Sequence, residues 1–150
     1  MLLFLDFDGV VHPRSGNLFD LTCLSYVELA LTNYPTLEVV ITSSWREHYE
    51  LDQLKQLLGK EISKRVIGQT PLIIGSIEKH VRYSEIIQYL SDTNQTYRPW
   101  VALDDSSSLF PADAPLVSVN GKTGMTERES EILCIALRIL TYHCRKSIHP

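Results

Sequence analysis

A chain of 150 residues with 44% hydrophobic and 21% charged residues has the composition of a globular protein and enough length for one buried core, which excludes a disordered tail or a fibre. Its 14 Lys and Arg against 18 Asp and Glu leave a net charge of −4, which argues against holding nucleic acid by bulk positive charge, although a local basic groove is still compatible. The apolar start Leu2–Leu5 is cut off by Asp6, too early for a signal peptide, and no later stretch is long enough to span a bilayer, so a cytoplasmic protein with one domain over residues 1–150 is expected.

In chain order, Leu2–Leu5 is a continuous apolar run, the pattern of a strand buried on both faces. Leu21–Leu31 has helical spacing, Leu37–Ile41 reads as a second strand, and Leu51–Leu58 as a second helix. Val66 and Ile67 suggest a short strand, and Leu72–Ile74 reads either as another or as buried loop. Ile86–Leu90 has helical spacing, Val101–Leu103 is a strand, and Leu116–Val119 a weaker one. A last helix opens at Thr126, whose hydroxyl can accept a backbone N–H while Glu129 reaches back in a capping box. Its core side comprises Ile132, Leu133, Ala136, Leu137, Ile139 and Leu140, and the tail from Arg145 to Pro150 is expected to fray. Turn-forming residues mark loops at Pro13–Asn17, Pro111–Pro115 and Gly121–Gly124. Strand then helix, repeated, predicts an α/β fold: a parallel sheet of about five strands with helices on both faces. Cys23, Cys134 and Cys144 are odd in number and form no CxxC, so free thiols are expected.

Polar residues collect where these strands end. The first runs into Asp6, the second into Thr42, and Val101–Leu103 into Asp104 and Asp105. In an open parallel sheet, ligands bind beyond the carboxyl ends of the strands, so these groups should share one crevice. Gathering Asp6, Asp8, Asp104 and Asp105 there sets like charges against each other: two carboxylates about 5 Å apart repel by roughly 3 kcal/mol at an effective dielectric near 20. A proton or a cation must relieve that, and an all-oxygen donor set suits Mg²⁺ better than Zn²⁺. Either acidic pair alone is also an ordinary turn cap; the convergence of both on strand ends is what singles out a site.

The segment Leu3-Phe4-Leu5-Asp6-Phe7-Asp8-Gly9-Val10-Val11 resembles the first motif of the haloacid dehalogenase (HAD) superfamily. Val40-Ile41-Thr42 is similar to its second motif and Val101-Ala102-Leu103-Asp104-Asp105 to its fourth. Its third, a lone basic residue near a helix start, is matched by Arg82, with Lys79 as competitor. The segments Thr42-Ser43-Ser44-Trp45-Arg46 and Arg82-x-x-Glu85-Ile86 are similar to those of small bacterial HAD domains, some found in RNA-repair systems.

The resemblance implies a Rossmann-like HAD fold and a Mg²⁺-dependent phosphatase working through an aspartyl-phosphate. In that scheme Asp6 is the nucleophile and Asp8 the general acid and base. The ion is held by the Asp6 carboxylate, the Asp8 backbone carbonyl, Asp104 and Asp105. Thr42 and Ser43 bind the transferring oxygens, and Arg82 or Lys79 supplies positive charge. Dehalogenases of the superfamily lack the second aspartate of the first motif, so the presence of Asp8 favours phosphatase action. A phosphotransferase of the same fold and a catalytically silent phosphate- or metal-binding module are the alternatives. The 33 residues between Asp8 and Thr42 and the 39 between Thr42 and Arg82 are largely used by expected elements, so no substantial cap is predicted. An uncapped site accepts a phosphorylated small molecule or a phosphorylated nucleic-acid end, and a homodimer could shield it. His12 and Arg14, where a short flap would overhang the pocket, are candidates to touch the leaving group. Trp45, Arg46 and His48 can line the entrance, Trp45 also reading as a core anchor. Tyr83, Tyr89, Tyr97 and Trp100 could stack on a base, though their scatter is the pattern of ordinary packing.

Overall fold

The computed structural model describes residues 1–17, 19–75, 77 and 79–148, with the backbone alone at 143–148. Five parallel strands, β1 (Leu2–Leu5), β2 (Glu38–Ile41), β3 (Val66–Gln69), β4 (Trp100–Asp104) and β5 (Leu116–Ser118), form one sheet in the order β3-β2-β1-β4-β5. The helices are α1 (Leu24–Asn33), α2 (Leu51–Leu57), α3 (Gly59–Ser63), α4 (Val81–Asp92) and α5 (Glu127–Ile148). This is the Rossmann-like arrangement expected, and among the described residues no inserted cap interrupts it.

The unbroken apolar strands follow from the two helical layers. Side chains alternate across a strand. Leu3, Leu5, Val39, Ile41, Val101 and Leu103 therefore face α1, α2, α3 and α5, where Val27, Leu54, Ile62, Leu133 and Leu137 close the core. Leu2, Phe4, Val40 and Ala102 face the other way, onto Ile86, Tyr89 and Leu90 of α4 and onto Phe110. Both faces are thus dry, and each fully buried Leu or Phe contributes about 1.5–3 kcal/mol of transfer free energy. Phe4 meets Tyr89 and Trp100 edge-on, with centroids 5.9 and 5.5 Å apart. Tyr83 lies against Trp100 on a tilted plane, with centroids 6.1 Å apart.

Several expected boundaries shift for local reasons. Helix α1 starts at Leu24 rather than Leu21, because Cys23 N donates to Val11 O at 3.0 Å and ties this stretch to the loop after β1. The second helix stops at Leu57, and Gly59, with φ +70°, lets the chain turn into the separate α3. Helix α4 reaches beyond Ile86–Leu90 in both directions, which brings Arg82 into its first turn. Leu72–Ile74 is loop, with Ile74 exposed.

At α5 the reach-back half of the capping box forms, Thr126 N donating to Glu129 Oε2 at 2.9 Å, but the Thr126 hydroxyl donates to that same carboxylate instead of accepting a backbone N–H. Leu133 and Leu137 are buried as expected, whereas Ile132 and Ile139 are 40% and 52% exposed. At about 100° per residue each lies at least about 100° around the helix from both leucines, outside the arc the sheet covers. Helix α5 continues to Ile148 through most of the stretch expected to fray, and residues 149–150 lie outside the described residues. Cys23 and Cys134 are free thiols; the Cys144 side chain is outside the described set. No described helix is long and apolar enough to cross a membrane.

Candidate active site

Strands β1 and β4 pair with Leu5 opposite Leu103, so the next residue on each, Asp6 and Asp104, emerges at the same level. Asp6 N donates to Leu103 O at 3.1 Å, and Val119 N to Asp104 O at 3.0 Å. Thr42 joins from the other neighbour of β1, its N–H on Leu5 O at 2.9 Å, and its side chain is buried beside the same strand end. β1 lies between a branch running outward through β2 and β3 and one running the other way through β4 and β5, which makes its carboxyl end the switch point of the sheet. There, one carboxylate oxygen from each of Asp6, Asp104 and Asp105 lies within 4.8 Å of the others.

Three acids this close, two of them buried, cannot all hold full charge unaided. Burial raises the pKa of Asp6 against the opposing pull of Arg82. Burial, with the Asp6 charge adding to it, pushes Asp104 up to about 7. Arg82 answers both: its Nη1 lies 3.3 Å from Asp6 Oδ1 and 3.2 Å from Asp104 Oδ2, while its Nε is 3.7 Å from Glu85 Oε2. Burial works against the charged guanidinium, but these three carboxylates outweigh it and hold its pKa above the usual value. Of the two basic candidates, Arg82 is the one in the cluster; Lys79 is exposed and in no described ion pair.

Asp105 is set by shape as well as charge. A Cβ on Gly9, whose φ is +73°, would fall 2.0 Å from Asp105 Oδ2, and one on Gly121 2.1 Å from the same atom. Only glycine lets both backbones close around this carboxylate. Arg14 then clasps it, Nε on Oδ2 and Nη2 on Oδ1 at 2.6 Å, with Nη2 also on Ser106 Oγ at 2.8 Å. Arg14, expected to contact the leaving group, is instead committed to a candidate metal ligand, because its backbone is tied to the Gly121 loop through Arg14 N–Gly121 O at 2.9 Å.

Asp8 stands outside the three-carboxylate cluster. The Trp45 indole N–H donates to its two oxygens at 3.0 and 3.1 Å, and His12 Nε2 is 3.1 Å from Oδ1. His12 Nδ1 is 2.9 Å from Pro13 O, a carbonyl that only accepts, so this nitrogen carries hydrogen. The Asp8–His12 contact then requires one further proton, held on either partner. His12, a candidate to touch the leaving group, is fully buried and turned onto Asp8. Trp45 is both core anchor and site residue, packed edge-on against Phe7 at 5.5 Å.

Arg46 borders the cavity beside Arg82, as expected, but its guanidinium is spent as a buried strut. Its guanidinium donates to Thr42 O, to Ser43 O at 2.7 Å, to Thr70 O at 3.1 Å and to Glu85 Oε2. It thereby locks the turn after β2 and holds Glu85 against Arg82. The Ser43 side chain is buried too and accepts from Trp45 N at 3.4 Å, capping the short 3-10 turn Ser44–Glu47. Among the described residues, three cavities border the cluster and its neighbours. One of about 480 Å³ opens beside Arg82 and Glu85, one of about 380 Å³ beside Asp8 and Trp45, and one of about 260 Å³ beside Arg14 and Asp105.

The family described as the HAD domain in Swiss Army Knife RNA repair proteins matches residues 2–130. The chain belongs to this HAD family. No curated protein and no solved structure matches it. Membership agrees with the resemblance carried by the four motifs, and together with the aspartate cluster it points to phosphoryl-transfer chemistry of the HAD type. The donor set of this HAD domain fits a hard divalent cation: all oxygen, three carboxylates against the two guanidinium groups of Arg82 and Arg14, with Asp104 shifted towards neutrality by burial and by the neighbouring Asp6 charge. Among residues that sequence reasoning left without a role, Glu85, Gly121, Phe19 and Tyr49 now border the site. Only Glu85 carried a signal, its i,i+3 spacing from Arg82. The four aromatic candidates for base stacking do not line the three cavities at the site; three of them pack into or against the core beneath α4, and Tyr97 is exposed.

Proposed function

We propose that the chain is a phosphomonoester hydrolase that uses Mg²⁺ and passes through an aspartyl-phosphate on Asp6. The observation that carries this reading is the meeting of Asp6, Asp104 and Asp105 at one strand-end crevice with Arg82 laid across Asp6. Asp6 attacks phosphorus in line, and the Arg82 guanidinium beside it favours the carboxylate form that burial opposes. As the P–O bond to the leaving group breaks, Asp8 passes a proton to that oxygen, drawing on the one it shares with His12. Water then attacks the phosphorus of the intermediate, Asp8 takes the proton back, and the bond to Asp6 breaks to free inorganic phosphate. Asp6, the Asp8 carbonyl, Asp104 and Asp105 would hold Mg²⁺, which when bound neutralises the repulsion between anionic nucleophile and anionic phosphate. Thr42 lies beside Asp6 and would bind a transferring oxygen.

Each group the reaction calls for is present, which favours turnover over a silent binding module. The family's description concerns RNA repair, and of the two substrates left open this favours a phosphorylated nucleic-acid end over a small metabolite. The test is phosphate release with and without Mg²⁺ from p-nitrophenyl phosphate and from 3′- and 5′-phosphorylated oligonucleotides. Asp6→Asn should lower release by more than about a thousandfold while circular dichroism stays unchanged. Undiminished release by that variant would overturn the mechanism.

A further inference from the structure

The cleft of about 380 Å³ is lined by Asp8, Phe19, Ser44, Trp45, Glu47, His48 and Tyr49. Asp8 is the proton donor of the proposed reaction, so the oxygen it protonates, and whatever that oxygen carries, must enter the space Asp8 borders. The larger cavity beside Arg82 is not lined by Asp8. The ring of Phe19 stands 5.7 Å from that of Trp45, edge to face, and Tyr49 lies 5.9 Å from the same indole on a tilted plane. Trp45 is buried, but Phe19 is 61% exposed, a large apolar ring kept in solvent at the mouth of a polar site.

We propose that Phe19, Trp45 and Tyr49 form a subsite for the planar base of a nucleoside leaving group, a reading that rests on the hydrolase assignment above. The volume suits one ring system with its sugar. The lining holds no Lys or Arg and includes Asp8 and Glu47, so the cleft disfavours a second phosphate and suits an uncharged ring. Asp8 meets the indole at Nε1, whereas Phe19 and Tyr49 flank the indole ring itself, so the proton donor and the aromatic rings border the same cleft.

The test compares kcat/KM for adenosine 3′- and 5′-monophosphate with that for ribose 5-phosphate, which has the sugar and phosphate but no base. One stacked base should favour the better nucleotide by roughly five- to a hundredfold. Phe19→Leu and Tyr49→Leu, which keep apolar bulk against the indole, should each bring the ratio towards one. A ratio near one in the unaltered protein, or one that neither variant changes, overturns the subsite yet leaves the hydrolase standing. Phosphotyrosine hydrolysed better than either nucleotide overturns the nucleoside in favour of a ring attached directly to the ester oxygen. If no substrate releases phosphate, the hydrolase reading fails by itself. Saturable quenching of tryptophan fluorescence by adenosine, lost in Phe19→Leu, would then still support the subsite, and its absence would overturn it.

Discussion

Gly121 meets Asp105 so closely that a methyl group there has nowhere to go: its Cβ would lie 2.1 Å from Oδ2 and 3.2 Å from Arg14 Nε. Gly121 has no left-handed φ, so Gly121→Ala carries no backbone strain, and its whole effect should fall on the carboxylate. We expect the variant to fold and to bind Mg²⁺ at least about tenfold more weakly by calorimetry, as one anionic ligand is displaced. Unchanged affinity would mean that Asp105 is not a ligand. At this scale the acids themselves were legible, because Asp6, Asp104 and Asp105 each follow an apolar strand in the sequence. Their restraints were not. Trp45 stands 37 positions from Asp8 and Arg14 91 from Asp105, and nothing local to either residue announces its partner.

At the scale of elements, the turn after β2 and the start of α4 are fastened by one buried ion pair, Arg46 to Glu85. Burial lowers the Arg46 pKa and the Glu85 charge opposes that, so the pair is balanced only while both members remain. Removing one partner of such a pair leaves an uncompensated buried charge. Glu85→Gln should therefore cost about 3–5 kcal/mol of unfolding free energy in urea titrations, and it should also loosen Arg82, which shares the carboxylate. A loss below about 1 kcal/mol would show the pair to be dispensable. The strands and the long α5 could be read from unbroken apolar runs and from one capping signal. Helix ends were harder to place, because Cys23–Val11 and Gly59 stop or start helices through contacts and conformations that periodicity does not record.

Over the whole molecule, the crowded carboxylates couple folding to pH. Asp104 titrates near 7 in the folded protein against an ordinary 3.8, and Asp6 is shifted in the same direction. Between those values the folded state holds protons that the unfolded chain has released, so the free energy of unfolding falls as pH rises from 3.8 towards about 7. The metal-free protein should show a melting temperature that drops from pH 5 to pH 8, and Asp104→Asn should flatten that drop. Added Mg²⁺ should raise the melting temperature more at pH 8 than at pH 5, since its ligands must be deprotonated. A wild-type melting temperature that rises over this range would contradict the assignment of a strained acidic cluster.

The sequence by itself determined which acids gather at the strand ends and which class of sheet presents them, because strand-end acids and doubly buried strands leave local patterns. Only the tertiary structure decided what each site residue leans on: Asp8 on Trp45 and His12, Arg82 on Glu85, which Arg46 holds, and Asp105 between two glycines and Arg14. Those contacts arise when distant stretches of chain are packed to the same strand ends. Their geometry is a property of the assembled sheet and its two helical layers, with no counterpart in the spacing of residues along the chain.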